Sequence, residues 1–129
     1  MNGRVCLDTN VASRYLENDS DVTRLLSNPS VIYLPVPVIA ELLYGAEKSA
    51  RRGNNLKYCN ELIFLCESLD ITRRTAVIYS KTKLALKRAG RPIPENDIWI
   101  ASVCIEHDMP LVTSDVHFSY VDGLVTIKV

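Results

Sequence analysis

The chain has 129 residues, 15 basic and 15 acidic side chains, and therefore no formal net charge, with 47% of its residues hydrophobic. This length suits one domain with a genuine core, expected to span residues 1–129. The balance excludes a chain drawn to nucleic acid by overall charge, no apolar run reaches membrane-spanning length, and Arg4 and Asp8 interrupt any secretory signal, so the expectation is a cytoplasmic protein without a membrane partner.

Val5-Cys6-Leu7 is a short apolar run ending on Asp8-Thr9-Asn10, the pattern of a buried strand that feeds a capped helix. Asp8 therefore sits at a strand's carboxyl end. A helix carrying Val11, Tyr15 and Leu16 runs to about Glu17, and a short one from Asp19 or Ser20 turns Val22, Leu25 and Leu26 inward and stops near Asn28-Pro29. Val31 to Leu34 is the next strand, ended by Pro35 and Pro37. From about Val38 a helix carries Ile39, Leu42, Leu43 and Ala46, with Glu41 among them. Residues 48–55 are a polar break, followed by a helix over 56–68 that keeps Cys59, Leu62, Ile63 and Cys66 on one period. Leu69-Asp70-Ile71 reads as a third strand.

Arg73 to Ala89 is a helix with Ala76, Tyr79, Ser80 and Leu84 or Leu86 inward, terminated by Gly90. Between Thr72 and Pro94 lie seven basic residues and no acidic one, which reads either as a solvated face or as a surface that holds a polyanion. Pro94 suits the opening position of the next helix, and Glu95, Asn96 and Asp97 suit its first turn. Behind them Ile98, Ala101, Ser102 and Ile105 recur at helical spacing while Trp99, Ile100, Val103 and Cys104 make the other faces apolar. The segment is thus a buried helix, ending around Glu106-His107, with Trp99 in the core. Leu111 to Thr113 is a strand closed by Ser114-Asp115, with His117 and Phe118 behind, and Leu124 to Ile127 is the last strand. The alternation predicts an α/β fold, a three-layer sandwich with a central parallel sheet of about five strands flanked by helices. Neither a dinucleotide glycine fingerprint nor a phosphate loop is present. The four cysteines, Cys6, Cys59, Cys66 and Cys104, form no C-x-x-C pair and read as reduced core residues.

Four acids stand out from the surface carboxylates because their neighbours are apolar: Asp8, Glu41, Asp97 and Asp115. Asp8 and Asp115 end strands, Glu41 and Asp97 lie in the first turns of buried helices, and all four can meet where open α/β sheets bind ligands, at the carboxyl ends of the strands. Clustered carboxylates repel one another, so their pKa values rise or a cation neutralises them, and oxygen-only ligands favour Mg²⁺ or Mn²⁺. That chemistry suits phosphodiester hydrolysis. Beside hard oxygen ligands, His107 and His117 are not expected to bind metal, and His107 suits a helix carboxyl end.

Several stretches carry a family resemblance: Leu7-Asp8-Thr9-Asn10, Pro37 through Gly45, Gly90 through Ala101, and Leu111 through Asp115 with Phe118. Over nearly its whole length the chain resembles the PIN-domain ribonucleases, and among them the VapC-type toxins of toxin–antitoxin pairs. The resemblance implies a PIN domain with Asp8, Glu41, Asp97 and Asp115 as a catalytic quartet, and a Mg²⁺- or Mn²⁺-dependent endoribonuclease restrained by a cognate antitoxin. It also implies a homodimer. Asp8, Asp97 and Asp115 are then the expected metal ligands, while Glu41 holds a second ion or orients the attacking water. Thr9 and Thr113 are candidates to hydrogen-bond the carboxylates, and Asn10 matches the family pattern without an assigned role. Ser114 stands where relatives often carry Asn or Arg. Lys87, Arg88 and Arg91 are candidate RNA contacts, and Val11, Tyr15, Leu25 and Leu26 are candidate lining for an antitoxin groove, with core packing the competing reading. The alternatives are a PIN-like module that binds RNA or protein without cutting, and a DNA nuclease or phosphatase built on the same carboxylates. The phosphatase lacks the second Asp two residues after the first, because position 10 is Asn.

Overall fold

The computed structural model describes residues 3–28 and 31–129.

Five strands form one parallel sheet: β1 (Arg4–Leu7), β2 (Val31–Pro35), β3 (Glu67–Leu69), β4 (Leu111–Thr113) and β5 (Thr126–Lys128), in the order β3-β2-β1-β4-β5. Six helices flank it: α1 (Thr9–Leu16), α2 (Ser20–Leu26), α3 (Val36–Glu47), α4 (Arg52–Leu65), α5 (Arg73–Arg88) and α6 (Glu95–Glu106). Successive strand residues point to opposite faces, so the complete burial of Val5, Cys6 and Leu7 means that both faces of β1 are covered. The expected α/β architecture is therefore present. From β1 the chain builds outward through β2 to β3, then crosses back to place β4 and β5 on the other side. The reversal falls between β1 and β4, whose register pairs Cys6 with Leu111 and Leu7 with Val112. Among the described residues no helix is long and apolar enough to cross a membrane.

Several boundaries differ from the sequence expectation for physical reasons. The third strand is Glu67–Leu69 rather than Leu69 to Ile71, because α4 stops at Leu65 and Cys66 is already extended. As an edge strand it buries only Leu69, so it lacks the apolar run that marks an interior strand. Helix α4 begins at Arg52, inside the polar break, whose turn is tied by Arg52 to Glu47 at 2.5 Å and by Asn55 Nδ2 donating to Ser49 Oγ at 2.9 Å. Pro35 ends β2 and caps α3, which starts at Val36. Pro94 is the cap of α6 rather than its first residue, and its carbonyl accepts from the Asp97 and Ile98 N–H groups. Helix α2 ends at Leu26, and Pro29, expected near its stop, lies outside the described residues. The last strand is Thr126–Lys128, two residues later than its expected start.

On α5 the inward stripe is Thr75, Tyr79, Thr82 and Leu86, spaced by four, three and four residues, while Ala76, Ser80 and Leu84 are exposed. A buried Thr carries little apolar signal, which hid this register. Its hydroxyl donates to Glu106 at the end of α6, while Thr72 and Thr75 form a capping box that opens α5. Trp99 is half-buried and stacks on Tyr79 with ring centroids 3.9 Å apart, so it seals the α5–α6 seam rather than filling the centre of the core. All four cysteines are free, and burial together with Glu67 pushes the Cys66 thiol up to about 11, consistent with unreactive, reduced side chains.

After β4 the chain enters a short 3-10 helix, Val116–Tyr120, anchored by Phe118, which is 1% exposed. Replacing Phe118 with Ala is expected to cost about 3–5 kcal/mol, the usual range for deleting a buried ring. Urea denaturation measures this, and a loss below about 1 kcal/mol would show that the segment is not held by that ring.

Candidate metal centre

The reversal in strand order creates a crevice at the carboxyl ends of β1 and β4, and the chain places an acid at the end of each. Asp8 follows β1 and caps α1. Its Oδ1 accepts from the Thr9 N–H at 2.7 Å and its Oδ2 from the Thr113 hydroxyl at 2.8 Å. The same Thr113 oxygen accepts from the Asp115 N–H at 3.0 Å, so one hydroxyl fixes both the Asp8 carboxylate and the backbone that carries Asp115. Asp115 caps the 3-10 helix, and its Oδ1 accepts from the His117 N–H at 2.9 Å and lies 3.1 Å from His117 Nδ1. Glu41, in the second turn of α3, accepts from the Asn96 amide on α6.

Asp97 is different. It is half-buried in the first turn of α6, and among the described residues no hydrogen-bond donor meets its carboxylate. Burial, then Asp8, Asp115 and Glu41 in turn, push its pKa up to about 6, with His117 opposing. Desolvation is thus the largest cause, with like charge adding to it. Burial is also the largest cause of the raised pKa of Asp8, reinforced by Asp115 and Glu41 and opposed by the Thr113 and Thr9 hydrogen bonds. The four acids thus share one electrostatic neighbourhood.

Asp97, Asp115 and His117 each offer a ligand atom within 4.8 Å of the others. Among the described residues no Lys or Arg forms a salt bridge with Asp8, Glu41, Asp97 or Asp115. An oxygen-rich donor set with no Lys or Arg partner fits a hard divalent cation.

Other candidates divide. Thr113 donates its hydroxyl to the Asp8 carboxylate, whereas Thr9 meets that carboxylate through its backbone N–H and leaves Oγ1 buried without a hydrogen-bond partner. Asn10 accepts from Ser114 Oγ at 3.4 Å, a contact across the mouth of the crevice. Lys87 and Arg88 are exposed on the last turn of α5 and form no salt bridge with the acids, while Arg91 lies 4.5 Å over the Tyr120 ring. Sequence reasoning missed Asn96, which lies 55 positions from the Glu41 it holds, and discounted His117, which the Asp115 cap draws to the site. An Asx cap two residues before the His was the available signal for the second.

A family model described as "PIN domain" matches residues 5–124. Among curated relatives, Ribonuclease VapC2 of Rickettsia felis is 28% identical over 114 residues, covering 85% of each chain. The tRNA(fMet)-specific endonuclease VapC of Shigella flexneri is 29% identical over 123 residues, covering 93% of each. Among solved structures, DNA-bound VapBC from Salmonella typhimurium superposes with a TM-score of 0.88 at 27% identity, covering 99% of this chain and 98% of that one. VapBC2 from Rickettsia felis, bound to a promoter DNA fragment, gives 0.89 at 24% identity and 98% coverage of both chains, a likeness of fold.

Because the folded pKa of Asp97 exceeds its ordinary value of 3.8, the folded protein binds the extra proton between about pH 4 and 6. Its repulsion burdens the fold above that window and is relieved below it. In metal-free protein, Asp97→Asn should therefore raise the melting temperature at pH 7 by roughly 2–5 °C, and the gain should vanish near pH 4. A variant that melts lower than the parent at pH 7 would contradict the electrostatic assignment.

Proposed function

This chain belongs to the PIN domain family, and on that premise we propose that it is a divalent-metal-dependent endoribonuclease, the toxin of a toxin–antitoxin pair. The observation that carries the reading is the convergence of Asp8, Glu41, Asp97 and Asp115 in one neighbourhood at the strand-order reversal. The ribonuclease names of its relatives support RNA as substrate, and the VapBC complexes among the solved structures support an antitoxin partner.

Asp8, Asp97 and Asp115 would hold the cation, Mg²⁺ or Mn²⁺ by the hardness of their oxygens. When bound, that ion polarises the scissile phosphate and stabilises charge on the leaving oxygen. The protein's own contribution is positioning. Thr113 keeps Asp8 and the Asp115 backbone at a fixed separation, and His117 orients the Asp115 carboxylate. Glu41, the exposed member of the quartet, is held by Asn96 and orients the attacking water by accepting its hydrogen bond.

For the antitoxin, a groove between the first helices and α4 fits better than one lined by Val11 and Leu26. Val11 and Leu26 are buried in the core, and Tyr15 and Leu25 are half-buried against it. A cleft of about 470 Å³ instead runs from Glu41 past Leu16 to Tyr58, between α1, α3 and α4. It meets a second cleft lined by the expected Tyr15 together with Leu62 and Leu65, the last 81% exposed. An amphipathic antitoxin segment fits this surface and ends beside a catalytic acid. The family reading also pairs the chain with a second copy of itself.

Cleavage of a labelled RNA with and without Mg²⁺ or Mn²⁺ tests the proposal. Asp97→Asn should abolish cleavage while remaining folded, and Thr113→Val should lower it by about 10–100-fold, as expected for a residue that orients a ligand. A folded Asp97→Asn variant that cleaves like the parent, or cleavage that persists in excess chelator, would overturn the assignment. Cleavage of DNA in preference to RNA would overturn the substrate.

A further inference from the structure

Beyond the acids, a line of side chains leads from the candidate centre into a separate cleft. His117, against Asp115, has its ring centroid 6.4 Å from that of Tyr120, and the Arg91 guanidinium lies 4.5 Å over the same Tyr120 ring. Tyr120 is 37% exposed despite both contacts. It forms one wall of a cleft of about 310 Å³ between α5 and the segment after β4, where Lys81 lies on the α5 side and Leu86 and Val121 are buried beneath. Asp122 also lines the cleft.

We propose that this cleft is the subsite for a nucleotide flanking the scissile phosphate, with Tyr120 stacking its base and Arg91 and Lys81 meeting the adjoining backbone phosphate. The inference deepens the ribonuclease reading and rests on it. Three features support a nucleotide in particular. A partly exposed ring with a cation already against it offers a stacking platform of the kind that single-stranded RNA uses. Positive charge comes from a helix and loop without an acidic residue between Thr72 and Pro94, which suits a phosphate. Asp122 repels phosphate from its own wall, so the backbone lies toward Lys81 and Arg91 and the base toward Tyr120.

The test compares Tyr120→Phe, which keeps the ring, with Tyr120→Leu, which keeps apolar bulk but removes the stacking face. Both are measured by melting temperature, by RNA affinity in the Asp97→Asn background, and by mapping cleavage sites on a mixed-sequence RNA in the active protein. Tyr120→Phe should bind RNA within about two-fold of the parent. Tyr120→Leu should weaken binding by about five-fold to a hundred-fold and relax base preference at one position beside the cut. Equal affinity and an unchanged cleavage pattern in folded Tyr120→Leu would overturn the subsite while leaving the ribonuclease reading intact, as would equal losses in both variants. Failure of the parent to cleave RNA with either ion would overturn both.

Discussion

The structure depends on an electrostatic conflict that the fold maintains. A reversal in strand order places two strand ends side by side, each closed by an acid, and helices α3 and α6 bring Glu41 and Asp97 to the same crevice. Thr113 reaches both strand ends through one hydroxyl, donating to Asp8 and accepting from the Asp115 backbone. No basic side chain among the described residues pairs with Asp8, Glu41 or Asp97. Such an imbalance is relieved either by protonation of a carboxylate or by a bound cation.

Holding such a conflict requires a stiff surround. Helix α6 supplies it with Ile100, Ala101, Ser102, Val103 and Cys104 fully buried, and the Ser102 hydroxyl is satisfied by the Ile98 carbonyl at 2.6 Å. Its far end is joined to the start of α5 through Glu106 and the two threonines Thr72 and Thr75. On the other side, Phe118 pins the turn that carries Asp115 and His117. Each acid is thus attached to a buried element by its own backbone, and the side chains that touch the carboxylates set their orientation.

Much of this was legible in the sequence because the informative residues sit at element ends. Apolar runs that stop on Asp8 and Asp115, and an acidic first turn ahead of a helix apolar on all faces, identify a strand-end crevice without any coordinates. What could not be read were contacts between distant segments. Nothing near Asn96 points to Glu41, and nothing near Arg91 points to Tyr120, because the first pairing arises only when α6 packs beside α3 and the second only when the loop before α6 meets the segment after β4. The stripe on α5 was misplaced for a related reason. A buried Thr75 that is satisfied by Glu106 looks polar to a hydrophobic pattern, and the edge strand Glu67–Leu69 likewise carries one buried residue.

Calorimetric titration of the metal-free protein with Mn²⁺, alongside Asp8→Asn, examines the central claim directly. A saturable site in the parent, with a melting temperature that rises as the ion is added and a response largely lost in Asp8→Asn, is the expected result. A folded parent that takes up no Mn²⁺ at millimolar concentration, or an Asp8→Asn variant that binds it equally well, would contradict the claim that these carboxylates form a cation site.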